Sequence, residues 1–143
     1  KDIINNDAPL FFANSDQWVD WDPVQFMYDM QETSADGGIV TFKSTHPKWS
    51  FVKLDEFGNV LEVAEKNPIS TYGTSGHYYW SHWATFKSSA NRMIANNERV
   101  NGEFYLAPTY NQTIASGGRV VRVPIERMYG VGTPEDLDAW LNS

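Results

Sequence analysis

The apolar run Leu10-Phe11-Phe12-Ala13 stops abruptly in the small polar residues Asn14 and Ser15 and one carboxylate, Asp16, ahead of Gln17. An apolar stretch bounded in this way reads as a buried strand, over Pro9 to Ser15, that delivers an acid to the lip of a sheet. Turns also favour Asp for its local backbone hydrogen bonds. Asp16 alone therefore does not separate a turn residue from a functional one. The next segment narrows the choice. Asp22-Pro23 supplies a helix N-cap followed by proline at the first helical position, and Pro23, Phe26, Met27 and Met30 share one face. The helix stops over Ser34 to Gly38, and Gly38-Ile39-Val40-Thr41-Phe42 returns as a second strand. A strand-helix-strand unit predicts parallel neighbours, and in open sheets of this kind ligands gather beyond the C-terminal ends of the strands, where Asp16 falls.

Further along, Phe51 to Leu54 and Val60 to Lys66 flank the turn Asp55-Glu56-Phe57-Gly58-Asn59 and predict a hairpin. Side chains alternate across a strand, so consecutive Glu65 and Lys66 point to opposite faces and do not pair with each other. Pro68 ends that strand, a polar loop follows, and Gly76-His77-Tyr78-Tyr79-Trp80 reads as another strand. Trp83, Phe86, Ala90, Met93 and Ile94 carry a helical spacing between Ser81 and Asn97, and a second helix is expected from Glu103 to Ser116, interrupted or restarted at Pro108 and closed by Gly117-Gly118. Val121, Val123 and Ile125 alternate with Arg122 and Pro124 as a strand near a sheet edge. Thr133-Pro134-Glu135-Asp136 opens a last helix anchored by Leu137, Trp140 and Leu141. No repeat or linker divides the 143 residues, a length that fits one domain with a substantial core.

The formal net charge of −7, with eleven scattered basic residues, argues against nucleic-acid binding, which needs clustered Lys and Arg for phosphate contacts. No apolar run approaches a membrane span, and the polar start does not resemble a signal peptide. With no cysteine there is neither a disulfide framework nor a thiolate metal site. These features lead to the expectation of a cytoplasmic protein. Six Trp, seven Tyr and eight Phe must build part of the core or a binding cleft.

Five short segments, Asn14-Ser15-Asp16-Gln17, Glu65-Lys66-Asn67-Pro68, Thr74-Ser75-Gly76-His77-Tyr78-Tyr79, Gly102-Glu103-Phe104-Tyr105 and Gly132-Thr133-Pro134-Glu135-Asp136-Leu137, occur in an order that resembles the sugar-phosphate nucleotidylyltransferases, also called nucleotide-sugar pyrophosphorylases. The resemblance is to forms associated with capsule and surface-polysaccharide pathways, and it covers the later, larger part of their catalytic domain. It implies an α/β, nucleotide-diphospho-sugar transferase-like (Rossmann-like) fold: a mixed sheet flanked by helices, here without the N-terminal nucleotide-binding segment. It also implies the reaction, in which a sugar 1-phosphate oxygen attacks the α-phosphorus of a nucleoside triphosphate and pyrophosphate leaves. Crowded anionic oxygens repel each other, so such chemistry rests on charge neutralisation and alignment and needs no protein nucleophile.

By the resemblance Asp16 is the catalytic aspartate that ligates Mg2+, and Lys66 is the lysine that meets the sugar phosphate. Glu65 is the acceptor for sugar hydroxyls, and Gly76 lets the backbone approach the sugar. Trp49 stands at the family's aromatic beside the sugar, followed by Ser50 where the family has glycine. Glu103 is expected to reach the sugar from a helix start. Each residue also has an ordinary structural explanation: a solvated Glu-Lys pair, a glycine at a strand start, an acid on a helix dipole. Many relatives carry a second metal-binding Asp where this chain has Gly130, so the metal assignment rests on Asp16. Glu135 and Asp136 are explained by helix capping. His46, His77 and His82 show no triad or metal-ligand spacing.

The family's glycine-rich Arg/Lys loop does not precede Asp16 in these residues, which leads to the expectation of a fragment, with a natural remnant of different task as the alternative, inactive alone and self-associating through an uncovered sheet edge. Two other classes stay open. Asp20-Trp21-Asp22 imitates the acidic motif of nucleotide-sugar glycosyltransferases, and the aromatics would also suit a non-catalytic carbohydrate-binding module.

Overall fold

In the computed structural model, which describes residues 3–143, the chain runs β1 (Leu10–Ala13), β2 (Gln17–Val19), α1 (Pro23–Glu32), β3 (Gly37–Lys43), β4 (Ser50–Leu54), β5 (Val60–Glu65), β6 (Tyr72–Trp80), α2 (Trp83–Ala95), α3 (Thr109–Ala115), β7 (Val120–Pro124), β8 (Met128–Gly130) and α4 (Pro134–Leu141). Six strands form one mixed sheet around β6, whose residues after Tyr72 are all buried. One edge of β6 pairs with β3, and the other meets β4 at Gly73 and then β1 from His77 to Trp80. All these pairings are antiparallel, while β3 and β7 run parallel. The expected strand-helix-strand unit therefore differs in one respect. β1 and β3 share a direction but are not neighbours, because β6 lies between them.

Side-chain alternation sorts the core into two layers. Ile39, Val52, Val63, Tyr78, Trp80 and Tyr110 pack on one face with Phe12 and Phe86, under α2 and α3. Phe26, Met30, Val40 and Tyr79 pack on the other, under α1. The Trp80 and Tyr110 rings stack at 3.9 Å, and the Tyr110 hydroxyl reaches the carbonyl oxygens of Tyr79 and Gly38 at 2.8 and 3.0 Å. That bond gives the large ring a polar anchor inside an apolar layer.

Local signals behave as their chemistry requires. Asp22 Oδ1 accepts from the amides of Val24 and Gln25, and Thr133 Oγ1 accepts from that of Asp136. Asp55 ties the β4–β5 turn by accepting from the amides of Phe57 and Asn59. Gly117 and Gly118 close α3 with paired bonds to Ile114 and Thr113, a Schellman arrangement.

Further expectations are corrected. The helix predicted from Glu103 begins only at Thr109, because Asn101 (φ 49°) and Gly102 (φ 81°) form a tight turn in which Val100 and Glu103 exchange both backbone hydrogen bonds. The strand expected from Gly76 begins four residues earlier, at Tyr72. There the hydroxyls of Thr74 and Ser75 are satisfied inside the sheet by the Tyr78 hydroxyl, His77 Nδ1 and the Val40 carbonyl. α4 forms as expected but has no buried residue; Leu141 is 65% exposed. A small second sheet, β2 against β8, has no counterpart in the sequence reading.

Candidate functional site

A cleft of about 290 Å³ opens where β5, β6 and the segment after β1 converge. Its lining includes Asn14, Gln17, Trp49, Glu65, Gly76 and Tyr105. The sequence-predicted Trp49, Glu65 and Gly76 are thus brought together. Gly76 has φ +79° at a register shift between β6 and β3, a conformation that favours glycine. A Cβ there would lie 2.5 Å from Gln17 Oε1 and 2.6 Å from Asn14 Cγ. The missing side chain is the space in which those two amides sit. Gln17 Oε1 is itself buried with no hydrogen-bond partner among the described residues. An acceptor in that position costs free energy unless something donates to it.

Glu65 ends β5 on the cleft side, where its Oε2 accepts from the Ser50 hydroxyl. Behind this pair the Tyr78 hydroxyl lies 2.8 Å from Thr74 Oγ1, and burial pushes the phenol up to about 12. Ser50, standing where glycine was expected, therefore occupies part of the acceptor capacity of Glu65 and leaves its other oxygen for a ligand. Trp49 packs edge-on against Phe42, with Lys48 Nζ 4.7 Å above its ring.

Lys66 falls outside the strand alternation expected of it, because β5 ends at Glu65. It sits just past β5 with φ +53°, an uncommon conformation for a residue with a side chain, and its amide bonds to the Trp49 carbonyl. Its Nζ donates to the Tyr105 hydroxyl at 2.7 Å, which holds the ammonium above its usual range. The same hydroxyl donates to Glu103 Oε2 at 2.8 Å. Glu103 is thus not at a helix start, and the helix-dipole explanation for it does not hold. Tyr105, which the sequence reading did not single out, links Glu103 and Lys66 to the cleft wall. The signal available for it was the Asn101-Gly102 turn, which folds the following residues back toward the cleft.

Asp16 lies outside that lining, past the C-terminal end of β1. It is exposed, and its carboxylate takes no hydrogen bond or ion pair among the described residues. Its backbone oxygen accepts from the Val131 amide, and Asp16 Oδ2 lies 2.6 Å from where a Cβ on Gly132 would stand. Gly132 therefore leaves room beside the acid. Gly130 faces Gln17 across β2 and β8, and the nearby Asp136 carboxylate is engaged by Lys48 Nζ at 3.1 Å, which holds it below its usual range. No group of three or more His, Asp or Glu able to hold a metal forms among the described residues. Mg2+ needs only one or two protein carboxylates when water and phosphate supply the rest, so the open Asp16 fits it.

His77 is a structural residue: it is buried, bonds Ser75, and burial holds its imidazole below the usual range. The acids of Asp20-Trp21-Asp22 are both committed, Asp20 to Arg127 at 3.0 Å and Asp22 to capping α1.

No protein-family model matches this sequence, and no curated protein matches it. Solved structures do. A nucleoside-diphosphate-sugar pyrophosphorylase from Vibrio cholerae RC9 superposes with a TM-score of 0.81 at 23% identity, over 98% of this chain and 58% of its own. A candidate glucose-1-phosphate thymidylyltransferase from Bacillus anthracis, in complex with a sucrose, superposes with a TM-score of 0.75 at 14% identity, over 93% of this chain and 53% of its own. The chain has the mixed α/β fold of these nucleotidyltransferases and spans little more than half the length of either. Among the described residues no helix is long and apolar enough to cross a membrane.

Proposed function

We propose that this chain forms the sugar-phosphate side of a sugar-1-phosphate nucleotidylyltransferase site. One observation carries the reading: a single cleft is lined by a ring (Trp49), a carboxylate (Glu65), a backbone approach (Gly76) and an acceptor without a partner among the described residues (Gln17 Oε1), with an ammonium (Lys66) hydrogen-bonded to its wall. The ring and the acceptors suit a sugar's faces and hydroxyls, and the cation suits its phosphate. Glu65 and Gln17 would orient the sugar. Lys66 would draw charge from the phosphate, whose oxygen could then approach a second phosphate group against less repulsion. Asp16 would hold Mg2+, which when bound supplies further neutralisation of phosphate oxygens. The commitment of Asp20 and Asp22 to other partners weighs against a glycosyltransferase acid motif.

Titration calorimetry with Mg2+ present tests this. The 143-residue chain is expected to bind a hexose 1-phosphate, α-D-glucose 1-phosphate or α-D-mannose 1-phosphate, more tightly than the same free hexose, and Lys66→Ala is expected to remove the preference. Equal binding of sugar and sugar phosphate would support a carbohydrate-binding module instead. These residues alone are expected to release no pyrophosphate from a nucleoside triphosphate and the sugar phosphate. We also propose that the outer edge of β1 supports reversible self-association, since among the described residues β1 is paired with β6 only.

A further inference from the structure

We propose that Tyr105 is a positioning residue for Lys66, a neutral relay that holds the ammonium at the cleft without spending its charge; this rests on the sugar-phosphate reading above. The direction of the chain of bonds follows from chemistry. An ionised Glu103 can only accept, so the Tyr105 hydroxyl proton points to Glu103 Oε2 at 2.8 Å. The phenol oxygen is then free to accept from Lys66 Nζ at 2.7 Å, and the carboxylate makes it a better acceptor. An ammonium has three donors. One is fixed on Tyr105, and two remain for phosphate oxygens.

What Lys66 lacks is as informative as what it holds. Among the described residues it forms no ion pair, although Glu65 precedes it and Glu103 stands one hydroxyl away. A direct carboxylate partner would have to be displaced, or would compete, when an anionic phosphate arrived. The phenol interposed between Glu103 and Lys66 orients the cation without a direct carboxylate contact, while Glu65 and Glu103 act on it only through space. Both ends are braced. The Lys66 backbone, at φ +53°, is tied to Trp49, and Glu103 is fixed by its two-bond exchange with Val100 across the Asn101-Gly102 turn. Nζ also lies 4.7 Å from the Tyr105 ring centroid, within cation–π range.

The test is a double-mutant cycle on the full 143-residue chain with Tyr105→Phe and Lys66→Ala, titrated with α-D-glucose 1-phosphate or α-D-mannose 1-phosphate, whichever binds, and with the matching free hexose. Tyr105→Phe keeps the ring and removes only the hydroxyl. It is expected to weaken sugar-phosphate binding about tenfold, to leave free-hexose binding unchanged, and to cost nothing further when Lys66 is already Ala. Glu103→Gln, which keeps an acceptor but removes its charge, is expected to give a smaller loss. A merely structural Tyr105 would weaken both ligands alike and add its loss to that of Lys66→Ala. That result would overturn the inference, as would a Tyr105→Phe chain that binds sugar phosphate normally. If the unaltered chain binds no hexose 1-phosphate, the underlying reading fails and this inference with it.

Discussion

Gly76 is the residue on which the cleft depends most directly. Its φ of +79° is costly for any residue with a Cβ, and the space that a Cβ would fill is already taken by the Asn14 and Gln17 amides. Gly76→Ala is therefore expected to reduce unfolding stability by about 1–3 kcal/mol and to weaken hexose 1-phosphate binding at least tenfold. Thermal unfolding and calorimetry measure the two effects separately, and unaltered binding would show that the amides are not part of the ligand site. Gly76 and Glu65 were legible in the sequence within short motifs, and Trp49 as an aromatic at a matching position. Gln17 and Tyr105 also lie within such motifs, but what they do there was not legible. A buried orphan acceptor and a hydroxyl shared between Glu103 and Lys66 exist only after distant segments meet.

At the scale of elements, the sequence signals that held were local and chemical: Asp22-Pro23 starting α1, Asp55 tying the hairpin turn, Thr133-Pro134 starting α4. Those that failed needed information from elsewhere. Nothing local says that β6 inserts between β1 and β3, or that three-residue β2 finds β8 more than a hundred residues later. The spacing around Glu103 is compatible with a helix until the Asn101-Gly102 turn is weighed against it.

The central element, β6, also makes a prediction of its own. Burial raises the phenols of Tyr78 and Tyr79 on this strand and of Tyr110 packed against it, Tyr78 to about 12. A phenol whose folded value exceeds its unfolded one, near 10, contributes stability that is complete below that unfolded value. The unfolded chain loses the proton first as pH rises, so the contribution fades from about pH 10 and is gone beyond the folded value. Denaturant unfolding is expected to show a stability loss across pH 10–12 that is smaller in Tyr78→Phe. A variant with the same slope as the unaltered chain would mean that Tyr78 ionises freely in the folded state.

For the molecule as a whole, the sheet has two kinds of margin. β7 lies at one edge, but the tip of the β4–β5 hairpin bends over it, with Asn59 bridged to Val121 and the Arg122 amide directed to the Gly58 carbonyl. β1 has no such cover. It pairs with β6 along one side only among the described residues, and its alternate residues Phe11 and Ala13 are exposed. A row of unpaired backbone donors and acceptors beside an exposed ring is a template for another strand. At four residues, β1 offers only about 13 Å of edge, so the association should be weak and reversible rather than obligate. Light scattering over a range of protein concentrations is expected to show a mean mass that rises above the monomer as concentration rises. Ala13→Lys places a charge at this margin without touching the half-buried face of Leu10 and Phe12, and should return the mass toward the monomer. Free Lys at an edge is a device by which sheets avoid this pairing. A mass independent of concentration would overturn the proposal, and a concentration dependence unchanged by Ala13→Lys would move the contact off β1, with α4 and its exposed Leu137 and Leu141 as the surface to alter next.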